Sequence, residues 1–318
     1  MPRMLLLVAA ANDPGDRIRR GLEDAFPELP LACARNEREA LAAIADAEIL
    51  LAFSPSISAS LIARAPRLKW IQLLGSGTDG VPEALAGRPD LLVTNGRGAQ
   101  AVPVSETVIA LLFALARDLP RLLRNQQEKR WQRWPARLLK GSTIVIVGVG
   151  AIAEELAPKC KALGMRVVGV SSAPRTVPGF DEIRPYPELA PTLGIADWVV
   201  LLTPLTAATR HLINGSAISC MKREACLVNV ARGGVVDEAA LVDALREGRI
   251  AGAALDVFAT EPLPADSPLW ATPRAIVSPH VAGLNENYAA DLLPLLIDNV
   301  RRYLAGERTS LRNVVSLA

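Results

Sequence analysis

The chain has 318 residues, half of them hydrophobic, and its formal net charge at pH 7 is only +2. This length suits about two domains, each able to bury a core of its own. Charges of both signs are scattered along the whole chain, so the composition provides no broad field for binding nucleic acid or a membrane surface.

The supply of metal-binding and thiol residues is small. Only two histidines are present, His211 and His280, which excludes sites built from several histidine ligands, and no metal site is predicted. The four cysteines form neither a CxxC motif nor a pattern of close pairs, as a reducing compartment permits. The cysteine pattern favours a cytoplasmic location, and the length favours an enzyme of two domains.

Short apolar runs alternate with amphipathic stretches in the first part of the chain. Such alternation indicates an α/β domain with a parallel sheet covered by helices. The runs predicted to be strands are residues 5–9, 48–53, 69–74 and 91–94.

A long helix is predicted after the last of these strands. Pro103 suits its first turn, and Pro120 is expected to stop it. Its apolar run at residues 108–116 is well short of the roughly 20 residues that a membrane span needs. We therefore predict a buried helix and no membrane partner.

The next stretch, residues 121–140, carries seven basic side chains and two tryptophans, Trp131 and Trp134. Arginine and aromatic side chains can bind phosphates and bases, which makes nucleic acid one interpretation. The other is a solvated or subunit-facing arm. We favour the arm, because one amphipathic segment in a chain of so little net charge is weak evidence for a nucleic-acid partner.

A second and more regular series of strands and helices begins near residue 142. Its pattern predicts a Rossmann-like domain of about six parallel strands. The tail at residues 287–304 is predicted to be a helix, and its pattern does not say which domain it packs on. The six predicted strands are residues 143–147, 166–170, 198–202, 226–230, 252–255 and 275–277.

A glycine motif lies between the first of these strands and a helix-forming stretch. Gly148 permits a tight turn, and Gly150 has no side chain to keep the backbone away from a pyrophosphate. The helix N-terminus at Ala151 and Ile152 offers unpaired N–H groups and a partial positive charge to that anion. Ala153 replaces the third glycine of the GxGxxG pattern. The strand before the motif and the helix after it favour a dinucleotide site over a plain glycine turn.

The end of the second strand in this series favours NADP over NAD. An NAD enzyme places Asp or Glu near residue 171 to accept hydrogen bonds from the ribose 2′-hydroxyl. Here Ser171, Ser172 and Arg175 occupy the region. Two hydroxyls and a guanidinium can bind a 2′-phosphate, and no carboxylate repels it. NADP(H) is therefore the cofactor predicted first, with NAD(H) as the alternative. The other interpretation is that Arg175 points into solvent and the serines only end the strand.

Three polar residues of the second half each follow a predicted strand: Arg232, Glu261 and His280. Because parallel strands deliver such loops to one edge of the sheet, we expect these side chains at one ligand-binding edge. Reduction of a 2-oxo acid needs a fixed cation for the carboxylate and a proton donor for the oxygen. Arg232 can clamp the carboxylate and carbonyl, and His280 can donate the proton. Glu261 can orient the imidazole and stabilise its charged form, and Asp256 could hold the nicotinamide amide.

These segments resemble the signature regions of the D-isomer-specific 2-hydroxyacid dehydrogenase family. Further matches are GSGTDG at residues 75–80, NGRGAQAVPVSETVIALL from residue 95 and LLTPLTAATRHLIN from residue 201, so the similarity spans nearly the whole chain. The resemblance implies interconversion of a small 2-oxo acid and a D-2-hydroxy acid, and the NADP signal favours reduction of glyoxylate or hydroxypyruvate. It also implies two α/β domains with parallel sheets, Rossmann-like or flavodoxin-like, and an active site in the cleft between them.

The resemblance assigns roles to the residues that match the family pattern. Arg232, Glu261 and His280 form the catalytic set, and Arg232 and His280 also contact the substrate. Backbone N–H groups around Ser76 and Gly77 hold the substrate carboxylate. The implied cofactor-binding residues are, around the glycine motif and the next strand end, Gly148, Gly150, Ala151, Ile152, Ser171, Ser172 and Arg175; on the adenosine side, Thr203, Pro204 and Thr209; and in the later loops, Val230, Ala231, Arg232, Asp256, His280 and Gly283.

The resemblance further implies a discontinuous arrangement of domains. Residues 1–98 together with 291–318 form the substrate domain, and residues 99–290 form the dinucleotide-binding domain. Two copies of the chain are expected to associate as a homodimer through the dinucleotide-binding domain.

Departures from the family pattern affect cofactor choice and pocket shape more than the type of reaction. They are Ala153, Ser171 and the sequence at residues 281–283. Two other functions stay open: a non-catalytic NAD(H)-sensing dimeric regulator of the same fold, and a dehydrogenase of another small acid such as formate or phosphite. The intact set of Arg, Glu and His argues against the sensor. His211 lies near no expected reacting atom and is predicted to be structural.

Overall fold

A computed structural model describes residues 2–8, 14–173 and 175–316. The chain forms two compact units, Met1–Gln100 with Leu284–Ala318, and Ala101–Gly283. Each unit contains one parallel sheet with buried apolar side chains on both of its faces. This confirms the predicted class of two α/β domains with parallel sheets.

The first unit has a five-stranded sheet in the order β2-β1-β3-β4-β5. This order is typical of flavodoxin-like folds, in which helices cover both faces of a parallel sheet. The strands are β1 Met4–Leu7, β2 Leu31–Ala34, β3 Ile49–Ala52, β4 Trp70–Leu73 and β5 Leu92–Thr94. The helices of this unit are α1 Pro14–Ala25, α2 Glu37–Ala43, α3 Ala59–Ala63, α4 Val81–Ala84 and α11 Tyr288–Leu304.

The sequence pattern located four of these five strands and missed β2. The missed strand reads LACA, has two exposed residues and lies at the edge of the sheet, so it carries neither a continuous apolar run nor β-branched residues. The strand predicted at residues 5–9 begins at Met4 and ends at Leu7, and Ala9 lies outside the described residues. The predicted tail helix is confirmed as α11, which packs against α1 in this first unit.

A buried network of polar side chains joins the first sheet to α11. The Trp70 indole donates to Thr94 Oγ1 at 2.9 Å, and that hydroxyl donates to Gln72 Oε1 at 2.7 Å. Asn299 Nδ2 donates to the same Gln72 oxygen at 2.9 Å, and Asn299 also exchanges two hydrogen bonds with the backbone of Arg312. Because all four networked side chains are fully buried, each polar atom needs its partner.

The second unit has a seven-stranded sheet in the order β12-β11-β10-β9-β6-β7-β8, the doubly wound arrangement that binds dinucleotides where the strand order reverses. The strands are β6 Thr143–Val147, β7 Arg166–Ser171, β8 Glu182–Pro185, β9 Trp198–Leu201, β10 Cys226–Asn229, β11 Gly252–Leu255 and β12 Ala275–Val277. The helices are α5 Ala101–Ala116, α6 Leu119–Gln127, α7 Ala151–Ala162, α8 Leu189–Ile195, α9 Gly215–Cys220 and α10 Glu238–Arg246.

Two expectations for this unit need correction. The sheet has seven strands rather than about six, because the half-buried edge strand β8, EIRP, carries charges and a proline that hide its pattern. Pro120 does not stop the long helix. That helix ends at Ala116, the backbone of Asp118 takes a left-handed conformation with φ of 52°, and Pro120 lies in the first turn of α6.

Two arginines of the basic stretch at residues 121–140 contact other residues of the same unit. The Arg121 guanidinium lies 4.4 Å from the ring centroid of Trp134. Arg137 donates to the carbonyl of Glu224 and covers the ring of the buried Trp198 at 4.6 Å. These contacts are cation–π and hydrogen-bond interactions that hold the arm to the domain. They favour the arm interpretation over a nucleic-acid surface.

The four cysteines are unpaired. Burial raises the pKa of the Cys160 thiol to about 12 and that of Cys226 to about 11, so these two residues pack as small apolar groups and are poor nucleophiles. Within the described residues, no helix combines the length and the apolar character that a membrane crossing requires.

We predict that Asn299→Ala destabilises the first unit by about 1–3 kcal/mol, because it leaves buried polar groups of Gln72 and the Arg312 backbone with fewer partners. The midpoint of urea-induced unfolding measures this loss. Asp298→Ala, on the same helix, removes only a surface pair with Arg302 and should change stability by less than about 0.5 kcal/mol. Equal effects of the two substitutions would contradict the role of the buried network.

Candidate active site

Three neighbouring strands of the second sheet bring the predicted polar residues to one edge. β10, β11 and β12 run parallel and in register, with Asn229 beside Leu255 and Leu255 beside Val277. The turns that follow these strands carry Arg232, Glu261 and His280. The expectation that strand ends collect these residues at one edge therefore holds for the loops of the second unit.

His280 and Glu261 are in direct contact. His280 Nδ1 lies 2.7 Å from Glu261 Oε2, and both side chains are partly exposed. The other carboxylate oxygen, Glu261 Oε1, accepts from the backbone N–H of Phe258 at 2.9 Å. The carboxylate is thus held from two sides. A neutral or charged imidazole bonded in this way through Nδ1 presents Nε2 for proton exchange.

Asp256 fixes the loop that carries His280. Its carboxylate is fully buried and accepts from the Ser278 hydroxyl, from the N–H of Val281 at 3.0 Å and from the N–H of Ala282 at 2.9 Å. Its backbone carbonyl accepts from the N–H of His280 at 2.8 Å. These four bonds surround a histidine whose backbone is left-handed, with φ of 53°. A contact between Asp256 and nicotinamide stays a prediction.

The turn that carries Arg232 is held by the preceding strand. Asn229, almost fully buried at the end of β10, accepts from the N–H of Ala231 at 3.1 Å and donates to the carbonyl of Arg232 at 3.0 Å. Arg232 Nη1 donates to the carbonyl of Ala231 at 2.6 Å. The amide of Asn229 therefore closes this turn as an Asx-type motif.

The Arg232 turn and the Glu261 loop touch through their backbones. A Cβ added to Gly233 would lie 1.9 Å from the carbonyl carbon of Phe258 and 2.2 Å from the nitrogen of Ala259, so only glycine fits. Glu238, in the first turn of α10, accepts from the N–H of Ala259 at 2.6 Å. The helix after Arg232 thus also holds the loop that positions Glu261.

The glycine motif fits a bound pyrophosphate. Gly148 has φ of 99°, and a Cβ there would lie 2.7 Å from the backbone nitrogen of Thr203, across the point where the strand order reverses. A Cβ at Gly150 would meet nothing within 4 Å, so the space before α7 is open. Gly150 caps α7 without a side-chain hydrogen bond, which leaves the helix N-terminus available to an anion. Ala153 is fully buried against the sheet.

The end of β7 lies beside this motif, and Arg175 is ion-paired there. Val170 pairs with Val147, and its carbonyl accepts from the N–H of Gly148 at 2.8 Å. Arg175 Nη2 lies 2.5 Å from Glu154 Oε1. Neither interpretation of Arg175 anticipated a partner on the helix of the glycine motif. Ser171 is half-buried and Ser172 is exposed.

The remaining predicted cofactor residues lie on the same unit. Thr203 is buried and shares a hydrogen bond of 2.8 Å with the Tyr186 hydroxyl. The Thr209 hydroxyl donates to the carbonyl of Pro204 at 2.7 Å and so shapes the turn after β9. Binding of adenosine by these residues stays a prediction, as does cofactor binding by Ala151, Ile152, Val230, Ala231 and Gly283.

Ser76 and Gly77 belong to the first unit, in the turn after β4. The carbonyl of Ser76 accepts from Asn95 Nδ2, and that of Gly77 accepts from the Ser54 hydroxyl, both at 2.9 Å. The turn is therefore fixed through its carbonyl groups. Binding of a substrate carboxylate by its N–H groups stays a prediction.

Sequence reasoning missed the residues that hold the predicted side chains in place. Asn229, Ser278 and Glu238 each bond to a functional loop, yet the sequence pattern assigned none of them a role. Each of them could have been found in the sequence as a polar residue at the end of a strand or in the first turn of a helix. His211 is exposed on the turn after β9, and its backbone N–H donates to the carbonyl of Gly234.

A family model and curated relatives match this chain. The model for the D-isomer specific 2-hydroxyacid dehydrogenase, NAD binding domain, matches residues 109–282. The (S)-sulfolactate dehydrogenase of Chromohalobacter salexigens is 36% identical over 258 residues, 78% of this chain and 81% of that protein. The D-3-phosphoglycerate dehydrogenase of Methanocaldococcus jannaschii is 32% identical over 294 residues, 91% of this chain, and the chain spans 56% of that relative's length.

Solved structures match over nearly the whole chain. A D-isomer specific 2-hydroxyacid dehydrogenase family protein from Aeromonas salmonicida has a TM-score of 0.90 and 36% identity, with both chains covered completely. The NADPH-dependent glyoxylate/hydroxypyruvate reductase of Sinorhizobium meliloti, solved with NADP and sulfate, has a TM-score of 0.86 and 26% identity, covering 99% of this chain and 98% of that one.

We predict that Gly233→Ala destabilises the second unit by at least about 2 kcal/mol, because the new methyl group would overlap backbone atoms that cannot move aside cheaply. A lowered midpoint of thermal unfolding would report this loss. Gly215→Ala is the matched control, since its methyl group would meet only Ala240 at an ordinary 3.8 Å. If both variants had the same midpoint of thermal unfolding as the wild type, the close approach of the two loops would not be needed for stability.

Proposed function

Because this chain belongs to the D-isomer specific 2-hydroxyacid dehydrogenase family, a family of NAD(P)-dependent oxidoreductases, we propose that it reduces a small 2-oxo acid to the D-2-hydroxy acid and catalyses the reverse reaction. Glyoxylate and hydroxypyruvate are the proposed 2-oxo acids. The observation that carries the proposal is the contact of 2.7 Å between His280 Nδ1 and Glu261 Oε2, in a loop next to the turn of Arg232.

The chain's residues supply charge and protons in this reaction. Arg232 binds the substrate carboxylate and polarises the carbonyl through its planar fork of donors. The nicotinamide, when bound, supplies the hydride that reaches the carbonyl carbon. His280 donates a proton from Nε2 to the carbonyl oxygen, so the product gains one hydride and one proton. Glu261 stabilises the protonated imidazole before this transfer and holds the ring in place.

The second unit is the proposed dinucleotide-binding domain, and the first unit is the proposed substrate domain. Gly148, Gly150 and the N-terminus of α7 would hold the pyrophosphate. Ser171 and Arg175 would receive a 2′-phosphate, which makes NADP(H) the preferred cofactor and NAD(H) a second one. The NADP found with the Sinorhizobium meliloti reductase supports this preference. In the first unit, the N–H groups at residues 76–77 would bind the substrate carboxylate.

The proposal includes a homodimer formed through the second unit. This unit exposes large apolar side chains on α5, α6 and the arm that follows them, and the Trp131 side chain is 94% exposed. Exposed apolar surface of this kind is typical of protein interfaces. The other exposed residues of this surface are Phe113, Leu119, Leu122, Leu123 and Leu138.

We predict that His280→Asn lowers kcat for glyoxylate or hydroxypyruvate reduction by at least about 100-fold, because the proton donor is lost. Asparagine tolerates the left-handed backbone of this position, so the loop is expected to fold. The rate of NADPH oxidation, followed by absorbance, measures the effect.

His211→Asn is the matched control, because it replaces the chain's other histidine at a second left-handed position and should leave kcat unchanged. The roles given to His280 and Arg232 would be withdrawn if His280→Asn kept full turnover, or if the wild type bound cofactor but reduced none of the 2-oxo acids.

We predict that Leu123→Glu, combined with Trp131→Ala, shifts the protein from dimer to monomer, because a charge buried in the interface without a partner is costly. Size-exclusion chromatography with light scattering gives the mass of the particle. Leu304→Glu, which changes an exposed leucine of the first unit, should leave the dimer intact. A monomeric wild type would refute the homodimer.

A further inference from the structure

The loop after β7 carries an ion pair that bears on cofactor choice. In a doubly wound sheet, the residues that follow the second strand meet the ribose 2′ position of the dinucleotide. Here that strand is β7, and the bond from Gly148 N–H to the Val170 carbonyl holds its end against the glycine turn. Arg175, the cation of this loop, lies 2.5 Å from Glu154. Under the proposed function, on which the role of this pair rests, the loop forms the 2′ end of the cofactor site.

Glu154 comes from the helix and not from the strand end. It lies in the first turn of α7, and its N–H donates to the carbonyl of Gly150 at 2.9 Å. It therefore stands one turn from the proposed pyrophosphate site and next to the loop of Arg175. Both paired side chains are half exposed, so a ligand can reach them, and an exposed ion pair of this kind exchanges partners readily.

The pair acts in opposite directions on the two cofactors. Like the phosphate of a phosphorylated side chain, a 2′-phosphate carries roughly one and a half to two negative charges at pH 7. It is therefore attracted to Arg175 and repelled by Glu154. A 2′-hydroxyl is neutral and can donate a hydrogen bond to a carboxylate. While Nη2 of Arg175 is bonded to Glu154, fewer guanidinium donors are available to a 2′-phosphate, and part of the positive charge is already neutralised.

We infer that Glu154 is a specificity-determining residue that restrains Arg175 and weakens the preference for a 2′-phosphate. The carboxylate absent from the end of β7, where Ser171 stands, is thus supplied by α7. The chain would then accept both NADP(H) and NAD(H), with a preference for NADP(H). Removal of the Glu154 carboxylate would increase that preference.

The test compares two ligands that differ only in the 2′-phosphate, adenosine 2′,5′-bisphosphate and 5′-AMP. Titration calorimetry on the full chain gives both affinities without any turnover. We expect Glu154→Gln to tighten binding of the bisphosphate by about five- to tenfold, in the range found for coupled neighbouring residues, and to change AMP binding by less than about twofold.

Two further variants make the test specific. Glu155→Gln removes the same charge one residue along α7, where the carboxylate pairs with Lys159 at 2.8 Å, and it should leave the ratio of affinities unchanged. Arg175→Gln should weaken bisphosphate binding and, in the double variant, reduce the gain from Glu154→Gln to the part that comes from direct repulsion between the carboxylate and the phosphate. Together these results would support the inference.

Four outcomes would overturn it. Equal gains from Glu154→Gln and Glu155→Gln would assign the effect to net charge, and an undiminished gain in the absence of Arg175 would show that Glu154 does not act by restraining Arg175. If Glu154→Gln bound AMP but left the ratio of the affinities for bisphosphate and AMP unchanged, this inference alone would be overturned. If the wild type bound neither ligand, the proposed dinucleotide site would be overturned as well. Reduction of 2-oxo acids by the same preparations reports separately on the proposed reaction.

Discussion

The buried carboxylate of Asp256 is the interaction on which the site's geometry depends. A carboxylate taken out of water must be satisfied by donors, and here the donors are the Ser278 hydroxyl and two backbone N–H groups of the loop after β12. Those bonds tie the end of β11 to that loop. His280 lies inside this arrangement, and its left-handed backbone persists because the bonds on both sides of it determine its position.

The positions of Glu261 and Arg232 are linked to this loop through further contacts. Glu261 is bonded both to His280 and to the backbone of its own loop, so the imidazole has a fixed partner. The same loop packs on Gly233 and is held by Glu238, which follow Arg232 in the chain. One connected group of loops therefore positions both Arg232 and the His280–Glu261 pair. The proposed reaction needs both groups at fixed positions.

The region after β7, the proposed 2′ end of the cofactor site, is organised differently. In the loops of Arg232 and His280, the anchoring side chains Asn229 and Asp256 are buried and each makes several hydrogen bonds, whereas Arg175 and Glu154 form a single exposed pair. Buried hydrogen-bond networks hold one geometry, and exposed pairs exchange partners at little cost. Under the proposed function, the second unit thus combines firmly held residues for the reaction with an exposed ion pair at the cofactor end that can adjust to its ligand.

Residue pattern alone was enough to predict every strand of the two sheets except β2 and β8, together with the glycine motif and the proposed catalytic residues. Continuous apolar runs mark buried parallel strands wherever both faces are covered, and polar residues directly after such strands mark the ligand edge. The edge strands β2 and β8 escaped because they are half solvated and lack such runs.

The folded chain was needed to show which distant groups meet. Arg175 pairs with Glu154, which stands 21 residues earlier, and Asn229, Ser278 and Glu238 hold the functional loops. These contacts join side chains to segments brought together only by folding, and residue type alone does not say which donor meets which acceptor.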